Sequence, residues 1–236
     1  MWQKIVGPFK EFGWGAGWLY AADRVLRRLS PRFGLYFYEM MAQPIVTKAL
    51  LPASLARNIE YIELLEGHPD IARMPARTDI KAQRFRHGAR CLAAYKKGEL
   101  LGYAWFSRGQ YEEDEVRCTY VLGSPADSVF DFDFYVMPEH RMGIAFMAIW
   151  HGANEFLRAQ GVAHTFSRMT RFNLASRRAH RRLGAVCVAR AWFLQLGPLE
   201  LMVSDSQPFA GLTWRSSQRV TLPLPSPAGQ ATAPAP

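Results

Sequence analysis

The sequence predicts a mixed α/β (α+β) fold: a partly parallel central sheet flanked by helices, preceded by an aromatic extension. Three observations carry this. Between residues 128 and 203 strand-like and helix-like periodicities alternate as β-α-β-α-β, which makes part of the sheet parallel and lays helices on its faces. Upstream, short apolar runs flank Gly-containing turns, the pattern of antiparallel hairpins. The 236 residues, 49% hydrophobic and 21% charged, hold enough apolar material for one large domain or two small ones, which excludes disorder throughout.

The elements follow in order. Residues 1–50 carry ten of the 31 aromatic residues, a surplus that something must bury or use. Trp18, Ala22, Val25 and Leu29 recur at helical spacing, with Arg24, Arg27 and Arg28 on other faces and Ser30-Pro31 closing the segment, so Gly17–Leu29 reads as a basic amphipathic helix. The ordinary expectation packs its apolar face on the core and solvates its arginines; the alternative lays it on an anionic membrane surface. Ile59–Leu64 is a strand. His68–Lys81 reads as helical turns broken at Pro75, and Ala89–Tyr95 with Leu100–Ser107 form a hairpin across Lys96–Glu99. Val116–Leu122 and Ser128–Val136 follow the same logic across Gly123-Ser124-Pro125.

After Pro138 the period lengthens. Phe146, Ile149, Trp150, Ala153, Phe156 and Leu157 predict a helix over Gly143–Gln160, ended by Gly161. A strand at His164–Met169, a helix at Asn173–Leu183 stopped by Gly184, and strands at Val186–Gln195 and Leu199–Val203 complete the pattern. Beyond Ser204 periodicity fades into Pro, Ala, Ser, Gly and Thr, read as a flexible tail. The expected organisation is an aromatic, basic extension over 1–55, a folded domain over 56–204 and a tail over 205–236.

Cys91, Cys118 and Cys187 are odd in number and lack metal-ligand spacing, which suggests neither a disulfide framework nor a zinc site, and no metal is expected. No apolar run is long enough to span a bilayer, and the first 50 residues, broken by charges, resemble no signal peptide. A cytoplasmic protein is expected, with the inner face of the membrane as the alternative location, because residues 1–50 hold seven bases against three acids.

The net charge of +9 asks for an anionic partner. Residues 137–190 contain nine arginines and only two acids, so the excess is local. It surrounds Val136-Met137-Pro138-Glu139-His140-Arg141-Met142-Gly143-Ile144-Ala145, where a strand ends, a Gly-containing turn follows and a helix opens. Such a junction aims backbone N–H groups and the positive end of a helix dipole at one point, as phosphate binding requires. No nucleic-acid-binding motif accompanies it.

Downstream lies Asn173-Leu174-Ala175-Ser176-Arg177-Arg178-Ala179-His180-Arg181-Arg182-Leu183-Gly184-Ala185. With the turn, this order resembles the GNAT superfamily of acyl-CoA-dependent N-acyltransferases: a strand ending Val-x-Pro, an Arg/Gln-x-x-Gly-x-Gly/Ala turn, a helix, a strand, then Asn-x-x-Ala/Ser and a Leu-Gly end. The resemblance spans roughly Ile59 to Val203 in element order. It implies a GNAT-like sheet, an acyl-CoA co-substrate such as acetyl-CoA, and an amine acceptor. Donor-binding residues would be Val136, His140, Arg141, Met142, Gly143, Ile144 and Ala145, with Asn173 and Ser176. Two departures stand out. Gly143 and Ala145 arrive one residue early after Val136, so either Arg141 or His140 takes the basic position, and His180 stands where many members carry the Tyr that protonates the departing thiolate. An imidazolium there can do the same work, or His180 is a surface residue.

A protonated amine must lose a proton before it attacks a thioester. In Val129–Val136 a period of 2 puts Asp131, Asp133 and Tyr135 on one face and Phe130, Phe132, Phe134 and Val136 on the other. Asp131 and Asp133 are therefore the candidate bases, the alternative being that they bind nearby arginines. Glu112-Glu113-Asp114-Glu115 is expected to be a solvated loop or a lure for a cationic acceptor. Trp150, His151 and Cys187 are expected to pack. The aromatic arm would cover the acceptor side of the cleft, form a homodimer contact or hold the chain at a membrane. A rival reading is an acyl-CoA-binding module of the same fold without turnover.

Overall fold

The computed structural model describes residues 14–227 apart from residue 216. Among them the elements are α1 (Trp14–Leu29), β1 (Phe33–Pro44), α2 (Ala53–Ala56), β2 (Ile59–Leu64), α3 (Pro69–Arg73), α4 (Thr78–Arg86), β3 (Arg90–Lys96), β4 (Glu99–Arg108), β5 (Gln110–Glu112), β6 (Cys118–Leu122), β7 (Ser128–Val136), a 3₁₀ turn (Pro138–His140), α5 (Ala145–Arg158), β8 (His164–Thr170), α6 (Leu174–Arg182), β9 (Val186–Leu196), β10 (Leu199–Ser204), β11 (Ala210–Thr213) and β12 (Val220–Leu224). They fall into two compact units, the first of residues 44–110 and 124–167, the second including 14–43, 111–123 and 168–227.

The first unit is a mixed sheet flanked by helices. β2, β3, β4 and β7 pair antiparallel in that order, and β7 pairs in parallel with the start of β8, Ser128 opposite His164. The β3–β4 turn is tight because Lys97 and Gly98 both adopt positive φ, 52° and 79°, which suits the sheet twist. His68 accepts the Asp70 amide proton at the start of α3 and Pro69 presets the first helical φ, so α3 begins where the sequence suggested. α4 packs on one face of the sheet, its Phe85 ring 4.9 Å from Trp105. α5 covers the other, with Phe134 against Trp150 at 5.2 Å and Phe106 against Phe156 at 6.2 Å. Trp105, Trp150, Phe130, Phe166 and Ile149 are fully buried between these layers.

In the second unit β1, β9, β10 and β11 pair antiparallel in that order, and β12 runs parallel to β6. The hairpin expected between 116–122 and 128–136 is therefore not formed, since Cys118–Leu122 takes β12 as its partner. The stretch after Ser204, expected to be a flexible tail, contributes β11 and β12, and Leu222 and Leu224 are fully buried. A Pro-rich composition hid a strand too short to show its period. The last nine residues of that expected tail lie outside the described residues, as do residues 1–13 of the aromatic arm. Within the arm the sequence missed β1, twelve residues whose side chains are buried on both faces over Phe37–Gln43 and so show no alternation.

α1 solvates its arginines as expected but does not bury the expected apolar stripe. Asp23 accepts the Leu35 amide proton at 2.9 Å, Arg27 lies over the Tyr36 ring at 5.0 Å and Tyr20 meets Phe172 edge-on at 5.4 Å. The docked side carries Leu19, Tyr20, Asp23 and Leu26, all half-buried, while Trp18, Ala22, Val25 and Leu29 are exposed, Leu29 by 71%, along with the three arginines. Among the described residues no helix is long and apolar enough to cross a membrane.

Candidate active site

The turn after β7 is built as expected in outline. The 3₁₀ turn closes with the His140 amide on the Met137 carbonyl (2.9 Å) and the Gly143 amide on the His140 carbonyl (3.2 Å), and α5 opens at Ala145. No side chain caps α5, and its first turn carries no acid. Among the described residues, the amides of Met142, Ile144 and Ala145 have no acceptor. A helix N-terminus left uncapped in this way is an anion cradle, because those donors and the dipole converge without an internal counter-group. Met142 is fully exposed beside it.

The side chains of the turn do other work. Arg141 bends back, its Nε 3.2 Å from the Val136 carbonyl and its guanidinium 5.5 Å above the Tyr135 ring, which pins the end of β7. His140 Nε2 lies 3.5 Å from Glu99 Oε1, and Glu139 joins them within 4.8 Å, an arrangement of two exposed carboxylates and one imidazole that the sequence did not suggest.

The two candidate bases do not share a face. β7 carries a bulge: Tyr135 opposes Tyr103 and Phe132 opposes Trp105, so Asp133 and Phe134 together face Ala104, with Asp133 in the left-handed region at φ 50°. Past the bulge the alternation shifts by one. Asp131 opposes Phe106 on the α5 side of the sheet, whereas Asp133 turns to the α4 side and pairs with Arg84 at 2.5 Å. Asp131 is buried, its Oδ2 finds no partner among the described residues, and burial pushes its pKa up to about 7, only partly opposed by the Thr165 hydroxyl. Asp133 keeps a quarter of its side chain in solvent, while the Arg84 guanidinium sits over both Trp105 (5.3 Å) and Phe132 (5.1 Å). Arg84 escaped sequence reasoning because it is distant in sequence and carries no motif.

Beside the bulge the Tyr103 and Tyr135 rings stack at 5.4 Å, and both line a cavity of about 40 Å³ with Asp70, Arg73 and Met137. The Tyr103 hydroxyl is buried with no partner among the described residues.

Asn173, Ser176 and His180 belong to the second unit. Asn173 caps α6, its Oδ1 accepting the Ser176 amide proton at 3.1 Å, and the Ser176 hydroxyl turns to the Met169 sulfur. His180 is 3% exposed, with Nδ1 2.9 Å from Gln43 Oε1. Burial lowers its pKa to about 4, so the side chain is a neutral imidazole near pH 7 rather than the imidazolium or surface residue anticipated.

The arginine-rich stretch is also partly balanced by acids far away in sequence. Arg168 pairs with the fully buried Glu113 (2.7 Å) and with Glu115 (2.9 Å), Arg177 with buried Glu39 (2.7 Å), and Arg190 with Asp205 (3.2 Å). Glu113 is thus an interior counter-ion and not part of a solvated loop. Arg178, Arg181 and Arg182 remain exposed on α6.

The profile of the Acetyltransferase (GNAT) family matches residues 58–185, more than half of the 236 residues. The chain belongs to this family. Among solved structures, similarity extends to a conserved protein of unknown function from Staphylococcus epidermidis (13% identity, TM-score 0.48, 74% of this chain and 66% of that one). It extends also to a tandem GNAT protein of clavulanic acid biosynthesis (12%, 0.47, 73% and 54%) and a putative GNAT acetyltransferase from Novosphingobium aromaticivorans (15%, 0.48, 69% and 65%). The chain spans less than two thirds of the length of each of these three structures. No curated protein sequence matches it. The GNAT match contains the β7 bulge, the uncapped turn and all of α6.

Proposed function

We propose that this GNAT chain transfers acetyl from acetyl-CoA to a primary amine. The observation that carries the reading is the uncapped N-terminus of α5, directly after the bulged strand and inside the family match. The amides of Met142, Ile144 and Ala145 would hold the CoA pyrophosphate, with Gly143 leaving the backbone open to it. Val136 would place the thioester beside the end of β7. The co-substrate supplies an activated acyl group: the amine nitrogen bonds to the thioester carbonyl carbon, the C–S bond breaks, and CoA leaves as its thiol.

Asp133 is the carboxylate we assign to the acceptor amine. It is held by the Arg84 guanidinium and partly open to solvent, so it suits binding a cationic amine and passing its proton to water. Asp131 has the pKa of a base at neutral pH but is covered by the sheet and α5, which suits a buried structural carboxyl better. Asn173 would fix the start of α6 by capping it, with Ser176 set against Met169.

Calorimetric titration with acetyl-CoA, followed by a thiol-release assay against an amine panel, tests this. Binding with turnover of any amine upholds it; failure to bind acetyl-CoA and longer acyl-CoAs overturns it, and binding without turnover points to the non-catalytic module.

A second reading concerns location. The exposed stripe of Ala22, Val25 and Leu29, with exposed Arg24 and Arg28 alongside, supports peripheral binding to an anionic bilayer, since an apolar stripe bordered by bases matches acyl chains beneath acidic headgroups. Sedimentation with phosphatidylglycerol vesicles should carry the wild type down and leave Val25→Asp/Leu29→Asp in solution; equal partitioning of both removes the reading.

A further inference from the structure

Lys81 is 4% exposed, yet its ammonium makes no ion pair among the described residues. It donates to the carbonyls of Ala72 and Met74, each 3.3 Å away, which uses two of its three protons at long distance. A buried ammonium compensated only by two stretched carbonyl contacts is expensive, and an interior cation normally has an anion beside it. Lys81 also lines a cavity of about 250 Å³ between α3 and α4, within the first unit. The walls are mainly apolar, from Pro69, Ile71, Ala72, Ala82 and Phe85. His68 lines it too; because its Nδ1 accepts the Asp70 amide proton, the ring hydrogen sits on Nε2 and supplies a second donor. Glu66 and Thr78 stand at the same wall, both exposed, and neither pairs with Lys81.

We propose that this cavity binds a small organic monocarboxylate, its carboxylate on Lys81 and its apolar body against Ile71, Ala82 and Phe85. One cation in an apolar chamber matches one negative charge on a hydrocarbon or aryl body; a doubly charged phosphate would leave a charge uncompensated. The site is separate from the α5 turn, so it stands whether or not acetyl transfer is the activity.

The test uses the full chain with 4-phenylbutyrate and its uncharged isostere 4-phenylbutyramide, followed by amide chemical shifts. Expected are saturable shifts over residues 66–72 and 78–85, with the amide at least tenfold weaker. Lys81→Met should weaken the carboxylate at least tenfold and abolish its thermal stabilisation of the protein. Ala82→Phe, which fills the chamber and leaves the cation in place, should also abolish binding and keeps the test valid if Lys81→Met fails to fold. Equal affinity for carboxylate and amide, shifts confined to other residues, or no saturable shift at all would overturn the proposal.

Discussion

Arg84 Nη1 lies 2.5 Å from Asp133 Oδ2, and the same guanidinium lies over both the Trp105 and Phe132 rings. The pair locks α4 to the one residue of β7 held at positive φ. Left-handed backbone costs an Asp on the order of 1 kcal/mol, and the ion pair is what makes that conformation stable here. Arg84→Met should therefore destabilise by about 2–3 kcal/mol, discounted from the cost of a fully buried pair because Asp133 is a quarter exposed. The double variant Arg84→Met/Asp133→Asn should recover part of that loss. Chemical denaturation of the four proteins measures the coupling; strict additivity would refute it.

Asp131 predicts a pH dependence of opposite sign to that of most carboxylates. An unfolded Asp titrates near 3.9, whereas the native group titrates at about 7 because burial disfavours its charge. Between those values the native state keeps a proton that the unfolded chain has released. Stability attributable to this group thus falls as pH rises from about 4 to about 7, by up to roughly 4 kcal/mol. Asp131→Asn should remove the slope and melt above the wild type at pH 8. Identical melting profiles for the two proteins from pH 5 to 8 would show that the group is not buried as described.

His180 acts the other way. Its native pKa of about 4 lies below the unfolded value near 6.5, so the unfolded chain takes the proton first and stability falls as pH drops through that window, by up to about 3 kcal/mol. Imidazole ¹⁵N shifts should report a single neutral form of His180 from pH 8 down to 5. Acetyl transfer, if it shows an ionisation near 6.5, should keep it in His180→Gln; loss of that ionisation in the variant would restore the imidazolium role.

Most of the fold was legible because its signals are local. Phe146, Ile149, Trp150, Ala153, Phe156 and Leu157 specify α5 by spacing alone, and the β3–β4 hairpin follows from Lys97-Gly98 between apolar runs. The site was legible only as far as backbone: the uncapped turn needs nothing but a strand end, a glycine and a helix start. Side-chain roles were not, because they depend on contacts distant in sequence. The alternation Phe130-Asp131-Phe132-Asp133-Phe134 is perfect as text, and one extra residue opposite Ala104 sends the two aspartates to opposite faces. Glu113 likewise looked solvent-bound until Arg168 took it up.

The α5 turn separates ligand binding from stability. Met142 is fully exposed and makes no contact that holds the turn, so Met142→Glu should leave stability within about 0.5 kcal/mol of the wild type. The new carboxylate would stand beside the amides of Ile144 and Ala145 and compete with an incoming pyrophosphate. CoA affinity should fall about tenfold at low salt and recover partly as added salt screens the charge. Unchanged affinity by calorimetry would place the phosphates elsewhere.

Gly152 tests the packing that holds α5 against the sheet. Tyr61 of β2 lies directly on the Gly152 backbone, its hydroxyl donating to the Ala148 carbonyl at 3.0 Å, and a Cβ at position 152 would run into the Tyr61 ring. Helix propensity favours Gly152→Ala by about 1 kcal/mol, whereas displacing a packed aromatic ring costs about 1–3 kcal/mol. Since the ring is also tied by its hydroxyl, overpacking should win and the variant should be less stable by about 1–2 kcal/mol. Tyr61→Leu, which removes the obstructing ring, should turn the same Gly152→Ala change from destabilising to stabilising. A stabilising Gly152→Ala in the wild-type background would mean that Tyr61 does not lie on the helix.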